Sequence, residues 1–347
     1  MKTQRSGYIL VLALLLLTLG IVITTNIFNT GSVYSMQTRT LVDREKARQV
    51  AVGGLELAKR ELTITLTDEQ KEKQKNDSAL ETKLLLAHLL PVLNRMQRFV
   101  LKEAVDGLDG EVGICISSEF GKINLNVLYD FKNKKFIGEG NPQGDMRKVA
   151  QAVFNKLPRA EQDGMFAAFE RFLKKQEQPL SDTTELLSIK EFQQFGNDLF
   201  YQPPLSKESR TVALTDIFTV ERTTAELNPW LLSNSLCILL GLQAAEVNDI
   251  SNRKSEGKKW AQNFVNKWTL ENDWNTRLQP IYKKDFASLP KEFVSLLNTQ
   301  FESGTFSVLS YGKVGNITQR VYAILEKQTA VQKGRDLPFV VKKMYWF

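Results

Sequence analysis

No charged residue lies between Arg5 and Arg39, and inside that gap Tyr8 to about Ile23 is almost continuously apolar, weakening toward Phe28. A helix needs about 20 mostly apolar residues to cross the hydrocarbon core. The run therefore predicts a membrane-spanning helix, and Gly20 within it is compatible with one. From Thr38 to about Leu66 the pattern becomes amphipathic. Leu41, Ala47, Ala51, Gly54, Leu55, Ala58 and Leu62 recur at helical spacing, with Arg44, Lys46, Arg48, Lys59 and Arg60 between them. Read as one helix from Tyr8, the two stretches extend roughly 80 Å at 1.5 Å per residue. Read as two, they break near Thr30-Gly31-Ser32.

Residues 67–83 form a charged, polar tract that reads as a loop or frayed helix. Leu84 to about Lys102 predicts a second helix, with Pro91 a kink or boundary. Val112 to Ser117 predicts a strand. From about 142 to 300 the texture is helical and punctuated by prolines, with candidate helices over Met146–Leu157, Arg159–Lys175, Thr184–Phe195, Leu231–Leu242, Trp260–Trp268 and Lys291–Phe301. Phe166, Phe169 and Phe172 read as core positions. Phe306 to Val314 and Ile317 to Leu325 then flank Gly315-Asn316, which is a hairpin signal, and Leu337 to Phe347 suggests a last strand. Strand texture on both sides of a helical block implies an α+β fold, a small antiparallel sheet interrupted by an inserted all-α domain. The expected divisions are 1–7 as leader, 8–30 as spanning helix, 31–135 and 301–347 as the two parts of one domain, and 136–300 as the insert.

Composition narrows the chemistry. The 347 residues carry a net charge of +7, and removing Lys2 and Arg5 leaves 7 − 2 = +5. The basic residues are scattered among acidic ones, which reads as solvated surface rather than a nucleic-acid footprint. Two cysteines, Cys115 and Cys237, are too few for a zinc site or a disulfide scaffold. Cys237 lies in Leu236-Cys237-Ile238-Leu239-Leu240, where a buried free thiol is the ordinary case, although an oxidising compartment permits one bridge. The single histidine, His88, sits on an amphipathic stretch and reads as a helix-face residue. No G-x-S-x-G, P-loop or dinucleotide glycine motif occurs. Nothing supports an enzyme.

Lys2 and Arg5 place the N-terminus on the cytoplasmic side. Thr24-Thr25-Asn26-Ile27-Phe28-Asn29 is a poor secretory cleavage site, and a lipoprotein signal lacks its cysteine. An uncleaved anchor fits the physics. A class III, pilin-type leader is the other reading, because Gly7-Tyr8 resembles the junction at which such leaders are cut on the cytoplasmic side, after glycine and before an often N-methylated aromatic residue. The fifth residue after that junction is Leu12, where most pilin-like proteins carry glutamate. A charge deep in the bilayer costs at least about 2.5–3.5 kcal/mol on an isolated helix. In a fibre that cost is offset by a neighbour's N-terminal amine; a subunit with no neighbour on one side has no use for the carboxylate.

Four stretches in order resemble the general secretion pathway protein K family, the large minor pseudopilins of type II secretion. They are the leader Arg5-Ser6-Gly7-Tyr8 with Leu12; Gly121-Lys122-Ile123-Asn124-Leu125-Asn126; Pro179-Leu180-Ser181 through Glu185-Leu186 with Glu226-Leu227-Asn228-Pro229 through Gly241; and Phe306-Ser307-Val308 through Gly315 with Val321-Tyr322-Ala323-Ile324-Leu325. Trp230 and Leu232 depart from the third stretch. The resemblance implies a pilin-like domain, no active site, a periplasmic globular part on an inner-membrane anchor, processing by prepilin peptidase, and I-type and J-type minor pseudopilins as partners in a fibre tip. It also implies calcium, for which no D-x-D-x-D-G loop occurs; Asp106, Asp109 and Glu111 cluster, as a solvated loop would. Asn124 and Asn126 alternate with apolar neighbours and read as satisfying backbone groups of a turn or cap. Two rivals remain at this level: a minor pilin of a type IV pilus, and a membrane-anchored DNA receptor, which predicts salt-dependent DNA binding.

Overall fold

Helix α1 (Gln4–Glu61) is a single helix of 58 residues in the computed structural model, which describes residues 4–63, 80–140, 145–158, 164–202, 212–222, 224–244, 270–298, 304–328 and 338–347. It passes through Thr30-Gly31-Ser32 without a break, so the two-helix reading does not hold. At 1.5 Å per residue it is about 87 Å long. Thr18, Thr24, Thr25, Thr38 and Thr40 each donate their hydroxyl to a carbonyl three or four residues back. That satisfies the hydroxyls within the helix itself. The N-terminal part of α1 is exposed along its length, and burial begins at Ala47 and continues through Val50, Ala51, Leu55, Ala58 and Leu62.

These positions bind α1 to a five-stranded antiparallel sheet of order β1-β2-β7-β8-β9, formed by β1 (Met96–Leu101), β2 (Gly110–Ser118), β7 (Thr305–Val314), β8 (Ile317–Lys327) and β9 (Phe339–Trp346). The contact is close because both sides are small. A Cβ on Gly312 would lie 2.1 Å from the Ala47 carbonyl oxygen, and one on Gly54 would lie 2.1 Å from Ser310 Oγ. The Ser310 hydroxyl donates to the Ala51 carbonyl at 2.8 Å. Leu55 and Leu62 are almost completely buried, each contributing about 1.5–3 kcal/mol by removal from water.

The period-2 alternation of the strands divides the two faces. Val112, Ile114, Ser310 and Gly312 face α1. Cys115 and Leu309 face the other way, against Tyr201 and Ala213. The helical insert therefore lies on the face opposite α1. Its centre is a phenylalanine cluster that joins α3 (Met146–Phe154) to α4 (Met165–Lys175). Phe154 stacks on Phe169 at 4.5 Å and on Phe218 at 5.1 Å, and meets Phe192 edge-on at 5.6 Å. Phe166 and Phe172 pack against this core. The expected α+β architecture is present: a long N-terminal apolar helix on an antiparallel sheet, with a helical insert.

Several local expectations change. The helix expected over Leu84–Lys102 is only α2 (Leu80–Leu89). Past Pro91 the chain turns through Asn94 at φ 57° and becomes β1. Its backbone pairs with β2 from Met96–Cys115 to Leu101–Gly110, a long-range partner that outweighs local helical texture. The helix expected over Thr184–Phe195 is two 3-10 segments, Thr183–Ser188 and Lys190–Phe195, the first opened by an Asp182–Glu185 capping box. The regular helix within Leu231–Leu242 is α5 (Asn234–Leu239), capped by Ser233, and within Lys291–Phe301 it is Lys291–Val294. The polar tract from 67 to 79 and the expected helix Trp260–Trp268 lie outside the described residues.

Candidate functional site

Two regions carry the residues that the sequence singles out. The first is the exposed half of α1. Gly7 and Tyr8 lie within its first turns, and Tyr8, Leu10, Val11, Leu12 and the leucines to Leu19 are all exposed. Among the described residues this is the one helix long and apolar enough to cross a membrane, with a mean hydropathy of 2.5 in its best window and none of that window buried. The chain has a single long apolar N-terminal helix of the kind used by a single-pass anchor or a signal.

The second region is the seam between sheet and insert, built around residues 118–126. Strand β2 ends at Ser118, whose side chain accepts from the Phe120 amide and opens a 3-10 turn, Glu119–Gly121. Gly121 is where the insert crosses most closely. A Cβ there would lie 1.7 Å from the Leu231 carbonyl oxygen, and the Ser233 amide donates to the Gly121 carbonyl at 3.2 Å. Strand β3 (Ile123–Asn124) then pairs in parallel with β6 (Phe218–Thr219) of the insert, and between them in the chain β4 (Tyr129–Asp130) and β5 (Lys135–Phe136) form a short antiparallel pair.

Asn124 and Asn126 clamp this crossing. The Asn124 side-chain amide donates to the Arg222 carbonyl at 2.6 Å, and its oxygen accepts from the Asn126 amide. Asn126 forms a reciprocal pair with Leu180, donating to its carbonyl and accepting from its amide, both at 2.8 Å. A planar side-chain amide thus substitutes for a neighbouring strand.

The sequence assigns no role to Lys122, which directly follows Gly121. Lys122 is 1% exposed. Its ammonium bonds Glu119 Oε1 at 2.6 Å, Ser307 Oγ at 2.7 Å and the Tyr322 hydroxyl at 3.1 Å. An ammonium has three donors, and all three are used. Burial pulls its pKa down, but the charges of Glu119, Tyr322 and Asp216 and the hydrogen bond to Glu119 together outweigh that, and the net shift is upward. Burial pushes the Tyr322 hydroxyl up to about 12. Burial also raises the Asp216 carboxyl against the opposing pull of Lys122; Asp216 Oδ2 accepts from the Ser235 amide at 2.7 Å. The only sequence signal for this network was a lysine three residues after a glutamate within an otherwise apolar stretch, a pattern that surface turns share.

A half-open cavity of about 20 Å³ adjoins the network, lined in part by Glu119, Asp182, Glu221, Tyr322 and Tyr345. That volume fits about one water molecule. Asp106 accepts from the Lys102 amide, Asp109 from the Glu103 amide, and Glu111 from the Tyr311 hydroxyl, so the acidic loop is held by its own backbone and a tyrosine. Among the described residues no group of three or more His, Cys, Asp or Glu side chains converges on a metal-sized site. His88 is exposed and lies 3.0 Å from Glu61, tying α2 to α1. Cys115 and Cys237 are both buried free thiols.

No family model matches the chain, and no curated protein matches it. Among solved structures it is similar to a chain of the GspK-GspI-GspJ complex from the type 2 secretion system of enterotoxigenic Escherichia coli, at 14% identity over 80% of this chain and 98% of that chain, with a TM-score of 0.38. At that identity and score the likeness carries no functional argument.

Proposed function

We propose that this chain is a non-enzymatic minor pseudopilin of the bacterial inner membrane, positioned at the tip of a type II secretion pseudopilus, where it initiates assembly and aids export of folded proteins. The observation that carries the reading is α1. One helix supplies both an apolar segment free of its own domain and the buried spine of that domain. A soluble protein would not leave so many leucines in water. Leu12 fits a subunit with no neighbour to neutralise a buried carboxylate.

Farther along α1 the surface turned away from the sheet keeps apolar residues exposed, among them Leu41, Val42, Val52 and Leu57, and a Cβ at Gly53 would meet nothing within 4 Å. Small residues let helices approach closely in membranes. The expected occupants are the N-terminal helices of I-type and J-type minor pseudopilins. The polar groups of the seam are engaged with one another, as the three filled donors of Lys122 illustrate, which favours a structural role over catalysis.

The test is the N-terminus of the membrane-extracted protein, read by intact and N-terminal peptide mass in cells with and without prepilin peptidase. A chain starting at methylated Tyr8 only when the peptidase is present supports the reading. A chain starting at Met1 in both strains, or cut beyond Thr24, removes it.

A further inference from the structure

Strand β9 touches all three layers of the molecule. On the α1 side, the Arg48 guanidinium lies over the Trp346 ring at 4.8 Å. Along its length β9 pairs with β8. On the insert side, the Phe347 ring that follows the strand stacks on Phe200 at 4.7 Å, and the Tyr345 hydroxyl donates to Asp182.

The pairing of β8 with β9 is irregular at one point. Ile324 faces Lys343, but Leu325 faces Val341, so Lys342 is an extra residue on β9. A bulge of this kind re-aims a side chain. Its consequence is that two consecutive lysines, which in a regular strand would point to opposite faces, reach the same carboxylate. Lys342 Nζ lies 3.1 Å from Glu221 Oε2, while Lys343 Nζ bonds Glu221 Oε1. Lys343 also lies 3.5 Å from Asp182 and donates to the Ser181 carbonyl. The Glu221 side chain is 7% exposed. Within β9 only Phe339 is fully buried, while Tyr345 and Trp346 are partly buried against the core, so the two lysines are the charged contacts of the strand with the insert. The water-sized cavity lined by Asp182, Glu221 and Tyr345 lies beside these contacts, so the seam is not packed shut at this point.

We propose that β9 is a charge-latched strap between the insert and the stalk helix. Closed, Lys342 and Lys343 hold Glu221 and Asp182 and fix the insert on the sheet that carries α1. Open, the insert is released from β9 while the sheet stays intact. This goes beyond the assembly reading and does not depend on how the N-terminus is processed.

Hydrogen exchange on the full chain in detergent micelles tests it. At 1 M salt the screening length falls to about 3 Å from about 10 Å at 0.1 M. Amides in 180–186, 218–222 and 339–347 are expected to exchange about fivefold faster at 1 M NaCl than at 0.1 M, with β2 and β7 unchanged, as in a local opening. The K342Q/K343Q variant is expected to show the fast exchange at 0.1 M and to lose the salt dependence, while K342R/K343R keeps the protection of the parent. Exchange in these segments that ignores salt in the parent protein, or that rises equally in β2 and β7, overturns the strap. If K342Q/K343Q does not fold, the salt series on the parent protein decides alone.

Discussion

Replacing Lys122 by methionine keeps most of the side chain's volume and removes its charge. Glu119, whose side chain is 2% exposed, then has no counter-ion. Two routes are open to it. Staying ionised in the interior costs several kcal/mol. Taking up a proton at pH 7 costs an ordinary glutamate side chain about 1.36 × (7 − 4.3) ≈ 3.7 kcal/mol. The cheaper route sets the loss, and the hydroxyls of Ser307 and Tyr322, left without the ammonium, add about 1 kcal/mol. The expected destabilisation is about 4–5 kcal/mol at pH 7. In the variant the folded chain holds a proton that the unfolded chain releases, so stability falls as pH rises. At pH 5 the protonation cost is only about 1 kcal/mol, and the penalty shrinks by about 2.7 kcal/mol. The assay is urea unfolding of the full chain in detergent, followed by tryptophan fluorescence, to which buried Trp230 and Trp274 contribute, at both pH values. The double variant E119Q/K122M is expected to recover at least about 2 kcal/mol at pH 7, because no charge is left stranded. A loss below about 1 kcal/mol, or one equal at pH 5 and pH 7, would refute the argument.

Three further outcomes follow from the seam and the thiols. Gly121→Ala places a methyl group 1.7 Å from the Leu231 carbonyl oxygen, so the backbone must shift, and a loss of about 1–3 kcal/mol or more is expected in the same unfolding assay. For Asp182, burial pushes the carboxyl up, but hydrogen bonds from Tyr345 and Thr184 and the charge of Lys343 outweigh it and the net shift is downward. Its contribution is therefore present above the ordinary carboxylate range and lost as pH falls below it, and D182N should flatten the acid limb of a stability-against-pH curve. Both cysteines are expected to take up alkylating reagent without prior reduction once the chain is unfolded, adding two labels by mass.

What the sequence made legible followed from repetition. The apolar run and the helical recurrence to Leu62 specify α1, and the alternation on either side of Gly315-Asn316 specifies β7 and β8. Residues 96–101 were opaque because Met-Gln-Arg-Phe-Val-Leu fits either period; the pairing with β2 decided it. The insert was legible as helical but not in detail, since short 3-10 turns at Thr183–Ser188 depend on a capping box and tertiary packing rather than on a face. Within the seam, Gly121, Asn124 and Asn126 stood out by type. Lys122 did not, because a buried lysine is recognisable only once Glu119, Ser307 and Tyr322, up to 200 residues away in sequence, are brought together.

The distance from Tyr8 to Ala47, where burial begins, is 39 residues of helix, or about 58 Å. A hydrocarbon core of about 30 Å accommodates half of that. The remaining 28 Å or so is a helical stretch outside the core, rich in threonine and serine and containing Gly31, without its own domain beside it. Isolated helices of this length are marginal in water. Under the proposed membrane anchoring, the globular part is held away from the bilayer on a rod that cannot guarantee its own helicity. In a lone molecule such a rod has no neighbour to support it, and in the proposed tip assembly the partner helices would supply that support. On that proposal, rigidity of the stand-off is a property of the assembly, acquired on joining it.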